Sequence, residues 1–330
     1  MRNPQPMVEL WRGGMLESQH FGHAVIWGEG GVIRTWGDPE KIIFPRSSCK
    51  MIQALPLVES GAADAAGLTD RHLALSCASH QGAELHVGMT GRWLSDLGLS
   101  EQDLRCGSHE PYDRTERDRL IRSEEKPCQL HNNCSGKHCG FVTATRHLKA
   151  GPEYVDLDHP LQKAIRQATE EVTGEAVAGY GIDGCSAPNF AMSLTGLARA
   201  MQAFSAASGE GDSRDRAMNR LTRAMATYPE MVAGEGRACT ELMRAMDHKV
   251  AIKTGAEAVF VAIVPEKKLG IALKIADGSG RASEAAITAI LADIGVLDPK
   301  HPMAQKRLPA EQHNWRGLRT GELRLSEGFL

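Results

Sequence analysis

Short apolar runs near both ends of the chain have the pattern of β-strands. Residues 7–36 contain "VELWR", "HAVIWG" and "VIRTWG", and the glycine-rich turn "EGG" joins the last two runs, which predicts an antiparallel hairpin. A second pair, "AEAVFVAIV" (256–264) and "LGIALKIA" (269–276), is separated by the polar turn "PEKK". The alternation of small and large apolar residues in this second pair indicates a sheet covered by helices.

The middle of the chain has mostly helical periodicity. Helices are predicted for "SSCKMIQALPLVESGA", "ELHVGMTGRWLSDLGL", "HPLQKAIRQATEEVTG", "NFAMSLTGLARAMQAFSAA", "SRDRAMNRLTRAMATYP" and, after the second strand pair, "RASEAAITAILADIG". Residues 106–134 are polar and read as a long functional loop, and the C-terminal "NWRGLRTGELRLSEGFL" is expected to end in an edge strand.

These patterns predict an α+β fold with one antiparallel sheet built from the N- and C-terminal parts. We expect a single catalytic unit over residues 1–330. Its sheet subdomain would comprise about 1–45 and 250–330, and a central helical lobe would comprise about 46–249.

Composition narrows the functional classes. Lysine and arginine number 38 against 41 acidic residues, so the net charge of −3 gives no reason to expect binding to nucleic acid or to an anionic membrane. No apolar run has the length of a signal peptide or a membrane span, so a soluble, cytoplasmic protein is expected. In that compartment the eight cysteines would be thiols, available as metal ligands.

A serine and a lysine stand three residues apart at the start of a predicted helix. In "PRSSCKMIQALP", Ser47 and Lys50 share a helix face, so a neutral lysine amine could accept the serine proton. A helix-capping serine and a surface lysine are the alternative. The same spacing recurs from Ser123 to Lys126, where we read a solvated charge cluster.

Two further segments strengthen the catalytic interpretation. "KTG", from Lys253 to Gly255, leads into the first C-terminal strand, and Ser79 with His80 in "CASHQG" follows an apolar run. Serine β-lactamases and penicillin-binding proteins carry Ser-x-x-Lys and a later Lys-Thr-Gly in this order, although their Ser-Asp-Asn element is absent here. Ser79 and His80 could also form a simple polar turn. If the two lysines meet in one pocket, the amine with the lower pKa would act as a base.

The stretch "HNNCSGKHCG" (131–140) is dense in potential metal ligands. Cys134 and the two histidines could bind zinc, with Cys185 in "GIDGCSAPNF" completing the site. The spacing leaves open a nucleophilic Cys134 paired with His138. Asp183 could bind metal, orient a water molecule or close an Asx-turn.

Long ordered motifs in the chain resemble the asparaginase II family, the rhizobial-type or class 3 L-asparaginases. The resemblance runs from about residue 7 to about residue 290. It rests on "FPRSSCKMIQALP", "CASHQGAELHV", "CGSHEP", "HNNCSGKHCGF", "GIDGCSAPNFAM", "PEMVAGEGRACT", "KTGAEAV" and "GIALKIADGSGRA".

The resemblance implies an amidohydrolase that converts L-asparagine and water to L-aspartate and ammonia. It implies a fold similar to serine β-lactamases and glutaminases, and a homodimer. It further implies two Ser-Lys tandems, Ser47 with Lys50 and Ser79 with Lys253. Beside them it implies a zinc site, with ligands at Cys134, Lys137 and Cys185. A lysine ligand requires that zinc displace the proton of the amine.

On this basis neutral Lys50 would accept the proton of Ser47, whose oxygen would attack the asparagine side-chain amide. Ser79 and Lys253 would relay protons. Ser48 lies inside the motif, but only Ser47 stands three residues before the lysine. The remaining candidates are expected around the bound substrate. Arg46 could bind its carboxylate or could be a surface arginine at the helix start. The other substrate-binding candidates are His80 and His138 for orientation, Asp183 near a water molecule and, by resemblance alone, Cys239.

Two other functions stay open at this stage. A serine amidase of the penicillin-recognising type would use the same Ser-Lys chemistry. A non-catalytic sensor that binds zinc or an amino acid would use the cysteine cluster without turnover.

Overall fold

The structure is a computed structural model that describes residues 2–330, so Met1, the first residue of the predicted unit 1–330, lies outside the described residues. The strands are β1 (Gln5–Arg12), β2 (Met15–Gly28), β3 (Gly31–Trp36), β4 (Ile42–Ile43), β5 (Gly179–Ile182), β6 (Pro188–Ser193), β7 (Ala251–Gly255), β8 (Val259–Val264), β9 (Leu269–Ile275), β10 (Ala310–His313) and β11 (Arg319–Leu325).

The α-helices connect and cover these strands. They are α1 (Lys50–Gln53), α2 (Leu55–Glu59), α3 (Ala62–Ala65), α4 (Asp70–Ser76), α5 (Glu84–Asp96), α6 (Arg114–Arg122), α7 (Ser135–His147), α8 (Pro160–Thr173), α9 (Leu194–Ala206), α10 (Ser213–Thr227), α11 (Pro229–Val232), α12 (Ala238–Ala245), α13 (Gly280–Asp293) and α14 (Pro302–Gln305). Short 3-10 helices occupy Arg46–Cys49, Glu101–Asp103, Gln129–His131 and Pro265–Lys267.

The main sheet is antiparallel and has the strand order β10-β11-β1-β2-β9-β8-β7, with β3 paired to β2. Its strands come only from the two ends of the chain, and α9 and α13 pack against them. Every residue of β8 is buried, as expected for a strand covered on both faces. The structure therefore confirms the predicted α+β class and the antiparallel sheet built from both chain ends.

The C-terminal region differs from the prediction in its position within the sheet. β11 lies between β10 and β1, so β10 is the edge strand of that side. β10 was not predicted, because its sequence "AEQH" has a single apolar residue and half of its side chains face solvent.

One segment predicted as a helix contains a strand. Residues 189–193 belong to β6, the central strand of a second, three-stranded sheet in the order β4-β6-β5. All six residues of β6 are buried, and a short, fully buried run does not distinguish strand from helix by its periodicity. The helix begins only after Ser193, whose side chain accepts a hydrogen bond from the Gly196 amide at 2.8 Å.

The segment "SSCKMIQALPLVESGA" is helical but interrupted. A 3-10 turn precedes α1, and α1, α2 and α3 follow as separate short helices. Pro56 has no amide hydrogen to continue the hydrogen-bond ladder, and Gly61 has a φ of 79°, which ends α2. The long polar segment 106–134 also contains α6, in which only Glu116 and Leu120 are buried, so no apolar stripe marks this helix.

Gly270 allows the backbone of α9 to touch β9. A Cβ atom at residue 270 would lie 2.2 Å from the Ala198 carbonyl oxygen and 2.1 Å from the Gln202 amide nitrogen. Neither backbone atom can move without shifting the helix. We predict that Gly270→Ala lowers the free energy of unfolding by about 3 kcal/mol, measured by urea denaturation. The control Gly280→Ala adds its Cβ where no atom lies within 4 Å. Equal stability of the two variants would contradict the prediction.

Candidate active site

The turn before α1 separates the two serines of "PRSSCK". Ser48 is buried and its hydroxyl donates a hydrogen bond to the Pro45 carbonyl at 2.7 Å, whereas Ser47 is half-buried and available to a ligand. Arg46 has a φ of 53°, in the left-handed region that a residue with a side chain rarely adopts. A Cβ at Gly255 would lie 2.6 Å from the Pro45 carbonyl oxygen, so only glycine lets β7 approach this turn.

A single serine hydroxyl joins two buried lysines. The Nζ atom of Lys50 lies 3.1 Å from Ser79 Oγ, and the Nζ atom of Lys253 lies 2.9 Å from the same oxygen. Lys50 also donates to the Ala78 carbonyl, and Lys253 donates to the Thr254 carbonyl at 2.7 Å. The two lysines are at most 1 % exposed, so their amines cannot exchange these partners for solvent.

The two amines differ in their electrostatic environment. Burial, and then the positive charge of Lys50, lower the pKa of Lys253 to about 7. A considerable fraction of Lys253 is therefore neutral at neutral pH and can accept a proton. Ser47 makes no hydrogen bond to Lys50 within residues 2–330, and the contacts of Lys50 lead instead to Ser79 and Cys134.

Cys134, Lys137 and Cys185 form a second buried cluster beside the lysines. Lys137 Nζ lies 3.1 Å from Cys185 Sγ, and Cys134 Sγ lies 3.0 Å from Lys50 Nζ, which connects the two clusters. The interaction of the two thiols raises the pKa of Cys134 and lowers that of Cys185, which favours the negative charge on Cys185. Burial opposes the charge on Lys137, but the two sulfur atoms outweigh burial and raise its pKa.

The donor set of this second cluster suits zinc. Two thiols and one amine converge in a buried site, and zinc prefers sulfur and nitrogen donors. Zinc would have to displace the proton of Lys137, since the metal-free environment favours the ammonium form. Within residues 2–330, no three side chains drawn from His, Cys, Asp and Glu are grouped to hold a metal ion. His131 is hydrogen-bonded to Glu116 at 3.2 Å, and His138 Nδ1 lies 2.9 Å from Tyr154 Oη.

Arg46 and Asp183 are brought together by the fold. Arg46 donates to Asp183 Oδ1 from Nε at 3.0 Å and from Nη2 at 2.8 Å, and the Gly184 amide donates to the same oxygen. Arg46 Nη1 and Asp183 Oδ2 have no hydrogen-bond partner within residues 2–330 and are left for a ligand. A cleft of about 510 Å³ opens beside Arg46 and is also lined by Lys41, Phe44 and Glu257.

The remaining predicted residues lie around these groups. His80 accepts from the Gly82 amide at 3.1 Å and is 2.9 Å from Ser135 Oγ, so it links the chain next to Ser79 with the chain next to Cys134. Burial raises the pKa of the Cys239 thiol, which packs beside Lys253 and hydrogen-bonds with the Thr254 backbone.

Sequence reasoning missed Tyr154, whose hydroxyl contacts His138. Its segment "GPEYVDLDHP" carries no motif that could have identified it.

The comparison with protein families places the chain in a known family. The sequence model of the family described as L-asparaginase II matches residues 8–325. The chain belongs to the L-asparaginase II family. Among curated proteins, none matches the chain significantly. Membership supports a hydrolase of the serine amidase kind that acts on a small molecule.

Solved structures with similar chain traces include a beta-lactamase from Mycobacterium bovis, with 14 % identity, a TM-score of 0.39 and coverage of 82 % of this chain and 94 % of that chain. A beta-lactamase/D-alanine carboxypeptidase from Pseudomonas syringae has 11 % identity, a TM-score of 0.43 and coverage of 82 % and 93 %. These likenesses are distant and carry no part of the functional argument. Among the described residues, no helix combines the length and apolar character needed to cross a membrane.

The low pKa of Lys253 should appear in the stability of the protein. Between about pH 7 and the ordinary lysine value of about 10.4, the unfolded chain binds a proton that folded Lys253 does not, so stability rises with pH in this window. Below pH 7 both states bind the proton, and the folded state bears the full cost of the buried charge.

We predict that Lys253→Met flattens this rise by about 1.4 kcal/mol per pH unit, measured by urea denaturation at pH 7.5 and 9.5. Lys126→Met, at an exposed lysine, is the control and should keep the wild-type slope. If the slope of stability against pH is unchanged in Lys253→Met, Lys253 has the same pKa in the folded and unfolded protein, which would contradict the prediction.

Proposed function

We propose that the protein is an L-asparaginase that hydrolyses L-asparagine to L-aspartate and ammonia through a serine nucleophile. The observation that carries the proposal is the bridge from Lys50 through Ser79 to Lys253, next to the half-buried Ser47. Such a buried pair of amines can take up and return a proton at neutral pH, as acyl transfer to a serine requires.

The contacts suggest a path for the proton in the first step. Ser79 gives its proton to neutral Lys253 and takes one from the ammonium group of Lys50, which leaves Lys50 neutral. Neutral Lys50 then accepts the proton of Ser47 as Ser47 Oγ attacks the side-chain amide carbon, so the net transfer is from Ser47 to Lys253. The return of a proton to the leaving nitrogen releases ammonia. Water then attacks the ester and restores Ser47.

The unused atoms of the Arg46 and Asp183 pair match the backbone of a free amino acid. Arg46 Nη1 can donate to the substrate α-carboxylate, and Asp183 Oδ2 can accept from the α-ammonium group. In this proposal Asp183 binds the substrate. The residues that orient neighbouring side chains around the site are His80, His138 and Cys239. A paired cation and anion discriminate against simple amides, which lack both charges.

We also propose that Cys134, Lys137 and Cys185 hold zinc. The bound ion would act as a Lewis acid close to the reacting groups. The contact between Lys50 and Cys134 would connect the occupancy of this site with the position of the catalytic amine. The homodimer stays a prediction that rests on the family resemblance, and the cytoplasmic location stays a prediction that rests on the hydropathy pattern of the sequence.

We predict that Ser47→Ala and Lys50→Ala each lower kcat for ammonia release from asparagine by about 1,000-fold or more, because each removes a group that takes part in acyl transfer. Ser48→Ala is the matched control, since Ser48 bonds only to the Pro45 carbonyl, and it should keep its activity.

Intact-protein mass after rapid quenching should reveal an aspartyl adduct that Ser47→Ala loses. An adduct retained in Ser47→Ala and lost in Ser79→Ala would assign the nucleophile to Ser79. Tight asparagine binding without ammonia release by the wild type would instead favour the sensor, and acylation by a labelled penicillin would favour the penicillin-recognising amidase.

We predict about one zinc ion per wild-type chain after purification with zinc, and none in a Cys134→Ala, Cys185→Ala double variant, because the remaining amine cannot hold the ion alone. Elemental analysis of the dialysed protein measures this ratio. Cys139→Ala, a buried cysteine on the same helix as Lys137, is the control and should retain zinc. Stoichiometric zinc in the double variant would place the ligands elsewhere.

A further inference from the structure

His138 lies next to the proposed metal ligand Lys137 on α7, with its ring completely buried. Its Nδ1 atom is 2.9 Å from Tyr154 Oη. Its Nε2 atom has no hydrogen-bond partner of standard geometry within residues 2–330, although the ring is close enough to Cys185 to influence that thiol. Which nitrogen carries the proton decides whether His138 can bind a metal, since a protonated ring nitrogen has no free lone pair.

The surroundings of Tyr154 determine the direction of its hydrogen bond with His138. The Tyr154 side chain is buried, and its oxygen accepts a hydrogen bond from the Arg105 amide at 2.7 Å. The hydroxyl must place its own hydrogen on an acceptor, because buried polar groups are almost always paired. Within the described residues, the only acceptor at hydrogen-bond distance is Nδ1 of His138.

The opposite direction leaves a group unpaired. If Nδ1 carried the proton and donated to Tyr154 Oη, the oxygen would receive two donors, from His138 and from Arg105. The hydrogen of the hydroxyl would then be buried without an acceptor, which is strongly disfavoured. The arrangement in which Tyr154 donates pairs the hydroxyl, the Arg105 amide and Nδ1, and it turns the proton of Nε2 toward the neighbouring sulfur of Cys185.

We infer that Tyr154 is a positioning residue that fixes His138 as the Nε2–H tautomer, so His138 donates toward the sulfur of Cys185 and does not bind the metal. Hydrogen bonds of this kind from surrounding groups to the ligands orient them and adjust how strongly they bind. The inference deepens the proposed zinc site and rests on it for its functional consequence, whereas the tautomer itself follows from the protein alone.

Hydrogen bonds to the Tyr154 backbone and to the preceding residue hold the segment that carries Tyr154 in place. Gln162 Nε2 donates to the Tyr154 carbonyl at 2.7 Å, and Arg105 Nη2 pairs with Glu153 at 2.9 Å. The Tyr154 ring also lies edge-on to Phe141, at 6.0 Å between centroids. These contacts hold the hydroxyl at His138 without relying on a metal ion.

The tautomer can be measured directly on metal-free protein. In a long-range proton–nitrogen NMR correlation spectrum of histidine-labelled protein, we expect His138 to have a protonated Nε2 and an unprotonated Nδ1. His138→Gln identifies the signals by their loss. A protonated Nδ1 in the wild-type protein would overturn the inference.

Two variants test the consequence for zinc. Tyr154→Phe should populate both tautomers and weaken zinc binding by about 10-fold, measured by competition with a chromophoric chelator. Thr145→Val removes a buried hydroxyl without a hydrogen-bond partner from α7, the helix that carries His138, and should alter neither the tautomer nor the zinc affinity. His138→Gln should still bind one zinc ion per chain.

Each result has a distinct meaning. Loss of stoichiometric zinc in His138→Gln alone would make His138 a ligand and overturn the inference, as would an unchanged tautomer and zinc affinity in Tyr154→Phe. If Tyr154→Phe does not fold, the wild-type spectrum still decides the tautomer, and the zinc content of His138→Gln still decides whether His138 is a ligand. If wild-type protein bound no zinc, the proposed zinc site would fail, and the spectrum alone would decide the tautomer.

Discussion

Two lysine amines share one serine hydroxyl in the interior of this protein, and most of the surrounding architecture is needed to hold them there. Lys253 comes from the edge of the main sheet, Lys50 from the first helical turn after Ser47, and Ser79 from the loop before α5. Burial disfavours the charge on Lys253, and the adjacent positive charge of Lys50 adds to this effect, so the pKa of Lys253 falls. The fold thus produces a base near neutral pH from a residue that is ordinarily an acid.

The same packing joins this pair to the cysteine cluster. Lys50 reaches Cys134 as well as Ser79, so any group that binds the sulfur atoms acts on the amine across one hydrogen bond. The helix that follows Cys134 carries Lys137 and His138 on consecutive positions, and Tyr154 anchors the second of these from a separate loop. One short segment of α7 therefore carries both a proposed metal ligand and a neighbouring residue that can orient the other ligands.

Hydrophobic patterning was sufficient for the elements that are long or regularly alternating. The hairpins at both ends and the helices α5, α8, α10 and α13 were predicted because each buries one face or a continuous apolar run. The strand Pro188–Ser193 was mistaken for helix, since all its side chains are buried and one of its two neighbours in the sheet, β4, is far away in sequence. β10 and α6 lacked an apolar signal because they lie at the surface.

The sequence by itself determined the family, the α+β class and the candidate catalytic and metal-binding residues, because long motifs and local spacing can be recognised without a structure. It could not determine which groups touch. Ser47 and Lys50 are close in the chain, yet the hydrogen bonds of Lys50 go to Ser79 and Cys134, and Arg46 turned out to be paired with Asp183. Only the tertiary structure decided these partners, since burial, charge repulsion and hydrogen-bond direction depend on segments that meet in space and not along the chain.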